Sequence, residues 1–66
     1  MPIFKIDLSY YREEEEIHLA YLFIEAETDE KAYKKALRHT HHWMPYEVTE
    51  VDSSAILARD KEWVLK

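Results

Sequence analysis

Residues 17–38 read IHLAYLFIEAETDEKAYKKALR, and the fold turns on how this stretch is divided. Its first half, residues 17–27, is rich in β-branched and aromatic side chains and reads as a strand. Ala20, Leu22, Ile24 and Ala26 form one alternating set, and Ile17, Leu19, Tyr21 and Phe23 form the other. A strand that is apolar on both faces is expected at the centre of its sheet or covered on both sides. Thr28 then offers an N-cap, followed by Asp29 and Glu30 where the helix dipole favours negative charge. The helix is expected to run to about Trp43 and to stop before Pro45, because a residue preceding proline is pushed out of the α region. At 100° per residue, Ala32, Tyr33, Ala36, Leu37, Thr40 and Trp43 share one arc, and Lys31, Lys34, Lys35 and Arg38 share the opposite one. Alanines in the apolar arc, like Ala20 and Ala26 in the strand, allow helix and sheet to approach closely.

Working outward, residues 2–11 (PIFKIDLSYY) alternate, with Phe4, Ile6, Leu8 and Tyr10 against Lys5, Asp7 and Ser9. Residues 12–16 (REEEE) read as a solvated hairpin loop, since four adjacent carboxylates resist burial. Residues 45–52 form a third strand in which Val48 and Val51 are out of phase, a conflict that a β-bulge between them would reconcile. Ser53-Ser54 marks a turn, and residues 55–59 and 62–65 suggest a final hairpin around Asp60-Lys61. The expected fold is therefore α+β: a two-layer, curved antiparallel sheet in the order β-β-α-β-β-β, packed on one helix. Residues 1–66 are read as a single domain.

Sixty-six residues give a core close to the margin of stability. With no cysteine, a disulfide framework and a cysteine-based zinc site are excluded. Two Phe, five Tyr and two Trp supply the packing area instead. The net charge of −5 argues against general affinity for nucleic acid or anionic membranes, and is compatible with a basic partner. No apolar run is long enough for a membrane span, and MPIFKIDLS lacks a signal-peptide layout, so the expected location is cytoplasmic.

Each chemistry-bearing cluster has a plain structural reading. His39 and His42 are spaced i, i+3, and with a carboxylate they could ligate zinc, nickel or copper. The helical zinc-protease pattern needs His at i and i+4 with an intervening Glu, which this segment lacks. Imidazoles in a last turn more simply cap carbonyls. Glu13, Glu14, Glu15 and Glu16 lack the spaced ligands and the glycine of a calcium loop. At a wet hairpin tip they also lack the desolvation that separates catalytic carboxylate pKa values. They remain candidates for the rim of a contact with a basic protein. The cationic stripe reads as the solvent face of an amphipathic helix, with Glu30 and Lys34 an i, i+4 pair. No nucleophile elbow or glycine-rich loop is present, there being no glycine at all. Neither an enzyme nor a cofactor is expected.

The second apolar face of residues 17–27 is the informative feature. If Leu22 and Ile24 meet the helix, then Leu19, Tyr21 and Phe23 lie on the far side of the sheet, joined by Ile3 and Tyr11. Either this is an exposed protein interface, or the C-terminal hairpin folds across it with Leu57 or Trp63. As an interface, it would consist of Tyr11, Leu19, Tyr21 and Phe23 with the four glutamates at its rim. It would serve a larger protein partner, a basic or nucleic-acid-binding one among the candidates, or a second copy in a homodimer.

The unit FIEAETDEKAYKKALR, followed by a short strand and an ending in EWVLK, resembles in layout small phage and mobile-element proteins. It is similar to certain anti-CRISPR inhibitors in which a curved antiparallel sheet wraps one helix. That resemblance implies a viral, non-enzymatic inhibitor acting in the host cytoplasm. Such an inhibitor binds a nucleoprotein effector and blocks nucleic-acid access or conformational change.

Overall fold

In the computed structural model, which describes residues 1–12, 15–40 and 43–66, strand β1 (Ile3–Arg12) is flanked by two antiparallel neighbours. These are β2 (Glu15–Glu25) on one side and β3 (Met44–Val51) on the other, giving the sheet order β2-β1-β3. Helix α1 (Asp29–His39) lies between β2 and β3 in sequence and packs on one face of the sheet. The α+β class and the two layers are therefore as expected, and β-β-α-β is the order of the first four elements.

Of the two placements expected for the apolar strand β2, the central one is not found: β2 is an edge strand, and β1 is central. The predicted terminal hairpin is absent. Residues 53–65 instead form a 3-10 turn (Ser53–Ala55), one helical turn α2 (Ala58–Lys61), and a single parallel bridge from Leu65 to Ile24. The hairpin loop also contracts, because the β1–β2 ladder continues to the pair Arg12–Glu15. No described helix is long and apolar enough to cross a membrane.

The inner face follows from the alternation of β1. Phe4, Ile6 and Leu8 sit opposite Ile24, Leu22 and Ala20 on β2. Phe4 and Ile6 also sit opposite Glu50 and Val48 on β3. With Ala26 they bury against Ala32 and Ala36 of α1. Ile6 and Ile24 are fully buried at the centre, so truncating either removes packing on both layers.

Register shifts adjust both ladders. Between Leu8 and Tyr10 the partners on β2 jump from Ala20 to Ile17, and between Asp7 and Leu8 those on β3 jump from Glu47 to Pro45. The bulge in β3 thus falls at Tyr46, not between Val48 and Val51. Those two valines need no reconciliation, since Val48 packs on the core and Val51 lies on the opposite face.

Thr28 caps α1 as expected, its Oγ1 accepting from the Lys31 amide at 3.2 Å. The helix ends sooner than expected, at His39. Thr40 is already extended (φ −115°, ψ 130°), and its hydroxyl donates to the Ala36 carbonyl at 3.0 Å, satisfying one orphan acceptor of the last turn. Trp43 reaches the core from beyond the helix, packing edge-on against Tyr10 with ring centroids 4.5 Å apart.

Candidate functional site

Antiparallel pairing places Lys5 and Asp7 of β1 beside Phe23 and Tyr21 of β2 on the face away from the helix. On the β3 side the same two residues meet Thr49 and Glu47, and Ile3 meets Val51. Tyr21 and Phe23 touch edge to face with centroids 5.4 Å apart, and the Lys5 ammonium stands 4.9 Å from the centre of the Tyr21 ring. Lys5 Nζ is also 3.7 Å from Asp7 Oδ1. One cation thus lies between an aromatic face and a carboxylate, which fixes the Tyr21 ring in place.

The C-terminal segment crosses this face at one end. Asp52 starts it, its Oδ1 accepting from both the amide and the hydroxyl of Ser54 at 3.0 and 2.9 Å. These bonds, the backbone one first, hold the Asp52 carboxyl below its usual pKa. Ile56 then plugs into the sheet and is buried. The strap is anchored again where Leu65 donates to the Phe23 carbonyl at 2.9 Å and accepts from the Glu25 amide at 2.7 Å.

Between strap and sheet lies an open hollow of about 260 Å³, lined by Tyr21, Phe23, Val51, Ile56 and Leu57, with Lys5 and Asp60 at its mouth. That volume is below the usual range for a small-molecule pocket and suits one or two protruding side chains. Tyr21 is 45 % exposed and Leu57 56 %. Both outcomes foreseen for this face are therefore partly realised: it is covered at the Val51 end and open at the Tyr21 end. The cover is Ile56, on a turn, while Trp63 remains 75 % exposed.

Of the other predicted contact residues, Glu13 and Glu14 lie outside the described residues, as do the side chains of Tyr11, Glu15, Glu16 and Leu19. Lys5, Asp7, Val51 and Ile56 were missed as members of this face. For the first two the signal was present, since the polar set of β1 must share a side with Tyr21 and Phe23 once the strands pair.

His39 ends α1 and is exposed, and His42 lies outside the described residues. Among the described residues no group of three or more His, Asp or Glu side chains converges. The cationic stripe is largely engaged within the molecule. Lys31 bonds Glu27 at 2.8 Å and holds its carboxyl below the usual range by that hydrogen bond and by its charge. Lys34 pairs with Glu30 at 3.4 Å, and Lys35 donates to the Glu25 carbonyl at 2.9 Å. Comparison with protein-family models, curated proteins and solved structures returns no match.

Proposed function

We propose that the chain is a non-enzymatic binding protein that inhibits or modulates a larger protein, and that it engages that protein through the outer sheet face around Tyr21 and Phe23. The observation that supports this most is the open hollow beside a half-exposed, internally braced tyrosine. Aromatic residues held in this way dominate protein interfaces, because little side-chain entropy is left to lose on contact. Charge at the rim favours a cationic partner: Asp7 and Glu47 lie side by side across β1 and β3, with Glu25 and Asp60 at the edges, against one cation, Lys5, among the described residues that line the hollow. In its narrower form the proposal makes the chain a phage- or mobile-element-encoded inhibitor of a host nucleoprotein. That form rests on the β-β-α-β part of the layout, the terminal hairpin of the resemblance being absent.

Tyr21→Asp tests the reading. Because the substitution sets a carboxylate opposite Asp7 and removes the Phe23 and Lys5 contacts, the melting temperature of the variant is measured first and binding is compared well below it. A binding partner captured by the parent protein from its native lysate should be lost, the affinity falling by about 2 kcal/mol or more if Tyr21 anchors the contact. Equal retention by parent and variant overturns the proposal. So does sedimentation showing a homodimer that Tyr21→Asp converts to a monomer, which would make this face a seam between copies.

A further inference from the structure

The apolar arc of α1 is only partly covered by the sheet. On one side Lys35 reaches across to the carbonyl of Glu25 on β2, so that flank of the helix is closed. Ala32 and Ala36 cover the middle. On the other side Tyr33 lies next to Val48 of β3, and Leu37 follows one turn later on the same side. Beyond β3 the sheet ends, and Tyr33 and Leu37 stay 38 % and 46 % exposed. Among the described residues, no backbone hydrogen bond reaches β3 from outside the sheet. The helix thus leaves these two side chains part-uncovered on its β3 side.

We propose that an extended segment of another protein, alternating apolar and cationic residues, adds as a strand alongside residues 47–51 of β3. This rests on the reading of the chain as a binding protein but assigns a separate contact. Residues 47–51 alternate across the sheet: Glu47 stands opposite Asp7 on the outer face, and Val48 packs toward the helix. An added strand would therefore lay its apolar side chains beside Val48, under Tyr33 and Leu37, and direct its cations outward to Glu47. Main-chain bonds supply affinity in this mode, and alternate side chains supply specificity. A second copy is the poorer occupant, because antiparallel pairing of β3 with itself brings two copies each of Glu47 and Glu50 onto one short ladder.

The probe is a soluble peptide of about six residues, the usual strand length, alternating valine and lysine. It is titrated into the full isotope-labelled chain and followed by backbone amide shifts and hydrogen exchange. The expected result is shifts and slowed exchange within residues 47–51, together with shifts at Tyr33 and Leu37. Affinity should fall about tenfold when alternate peptide amides are N-methylated, and by a similar factor when lysine is replaced by glutamate. Glu47→Gln should weaken the lysine peptide without changing the fold. Equal binding of the N-methylated peptide would reduce the interaction to charge attraction and overturn strand addition. Shifts confined to Tyr21 and Phe23 would overturn the edge contact while leaving the outer-face reading intact. No binding, or a dimer whose protected amides are those of β3, also overturns it.

Discussion

The two edges of the sheet have been treated in opposite ways. At β2 the edge is engaged: Leu65 makes two backbone hydrogen bonds across Ile24 and continues the inner-face packing. Along residues 47–51 of β3 no backbone bond arrives from outside the sheet among the described residues, and the strand is guarded by devices known to discourage indiscriminate pairing. Pro45 has no amide hydrogen, the bulge at Tyr46 bends the strand, and Glu47 and Glu50 place charge on both faces. The difference teaches why an apolar strand need not be central. The chain's own last segment covers part of β2, at Phe23–Glu25, so its two-faced composition is partly satisfied at an edge. Guarding by charge, by contrast, excludes neutral and acidic strands and leaves a cationic one admissible.

The largest test removes the platform that both edges share. Ile6 lies in β1 between Leu22 and Val48 with no exposure, so Ile6→Ala should lower unfolding free energy by about 2–5 kcal/mol in urea titration. Both edges should loosen together. A loss below about 1 kcal/mol would show that the three strands do not unfold as one unit.

A smaller change separates the edges. Leu65→Pro removes the donor to the Phe23 carbonyl and should cost about 1–3 kcal/mol. Exchange of the Glu25 amide should quicken while the amides of β3 are unaffected. If β3 loosens as well, the strap supports the whole sheet and the two edges are not independent.

The smallest effect concerns the turn that launches the strap. The Asp52 carboxyl is held below its usual pKa by the Ser54 amide and hydroxyl, so its contribution is complete above the ordinary aspartate pKa. It is lost as pH falls through the lowered value. Acidification should therefore mobilise residues 52–56 before the rest of the sheet, seen as faster amide exchange at Ser54. Asp52→Asn should abolish that pH dependence.

Much of this comparison was legible in the sequence, and the exceptions have physical causes. The alternation of Phe4, Ile6 and Leu8, the Thr28 cap and the paired alanines of α1 are local patterns with one stable solution each. Tyr21 and Phe23 could be placed on the outer face for the same reason. The bulges in β2 between Ile17 and Ala20 and in β3 at Tyr46 were not legible, because register depends on the partner strand. Trp43 fell in the helical arc by angle alone, and its true route to the core depends on Thr40 leaving the helix. Residues 55–65 carry too few alternations to distinguish a short strand from a helical turn. What decides there is the vacancy over Val51 that Ile56 fills, a tertiary fact. The guarded state of β3 was written in Pro45, Glu47 and Glu50, but became meaningful only once β3 proved to be an edge.

The backbone turns themselves have one further consequence. Thr28, Thr40, Asp52, Ile56 and Leu57 all stop or start their elements with extended, negative-φ geometry, with φ of −138°, −115°, −76°, −84° and −60°. None of these junctions calls on the left-handed region, which is why a chain without glycine can make them. Glycine widens the unfolded ensemble, by about 0.5–1 kcal/mol per residue relative to alanine. A glycine-free chain therefore begins folding from a narrower set of conformations. A domain of this size gains stability from what its unfolded state lacks as well as from what its small core contains.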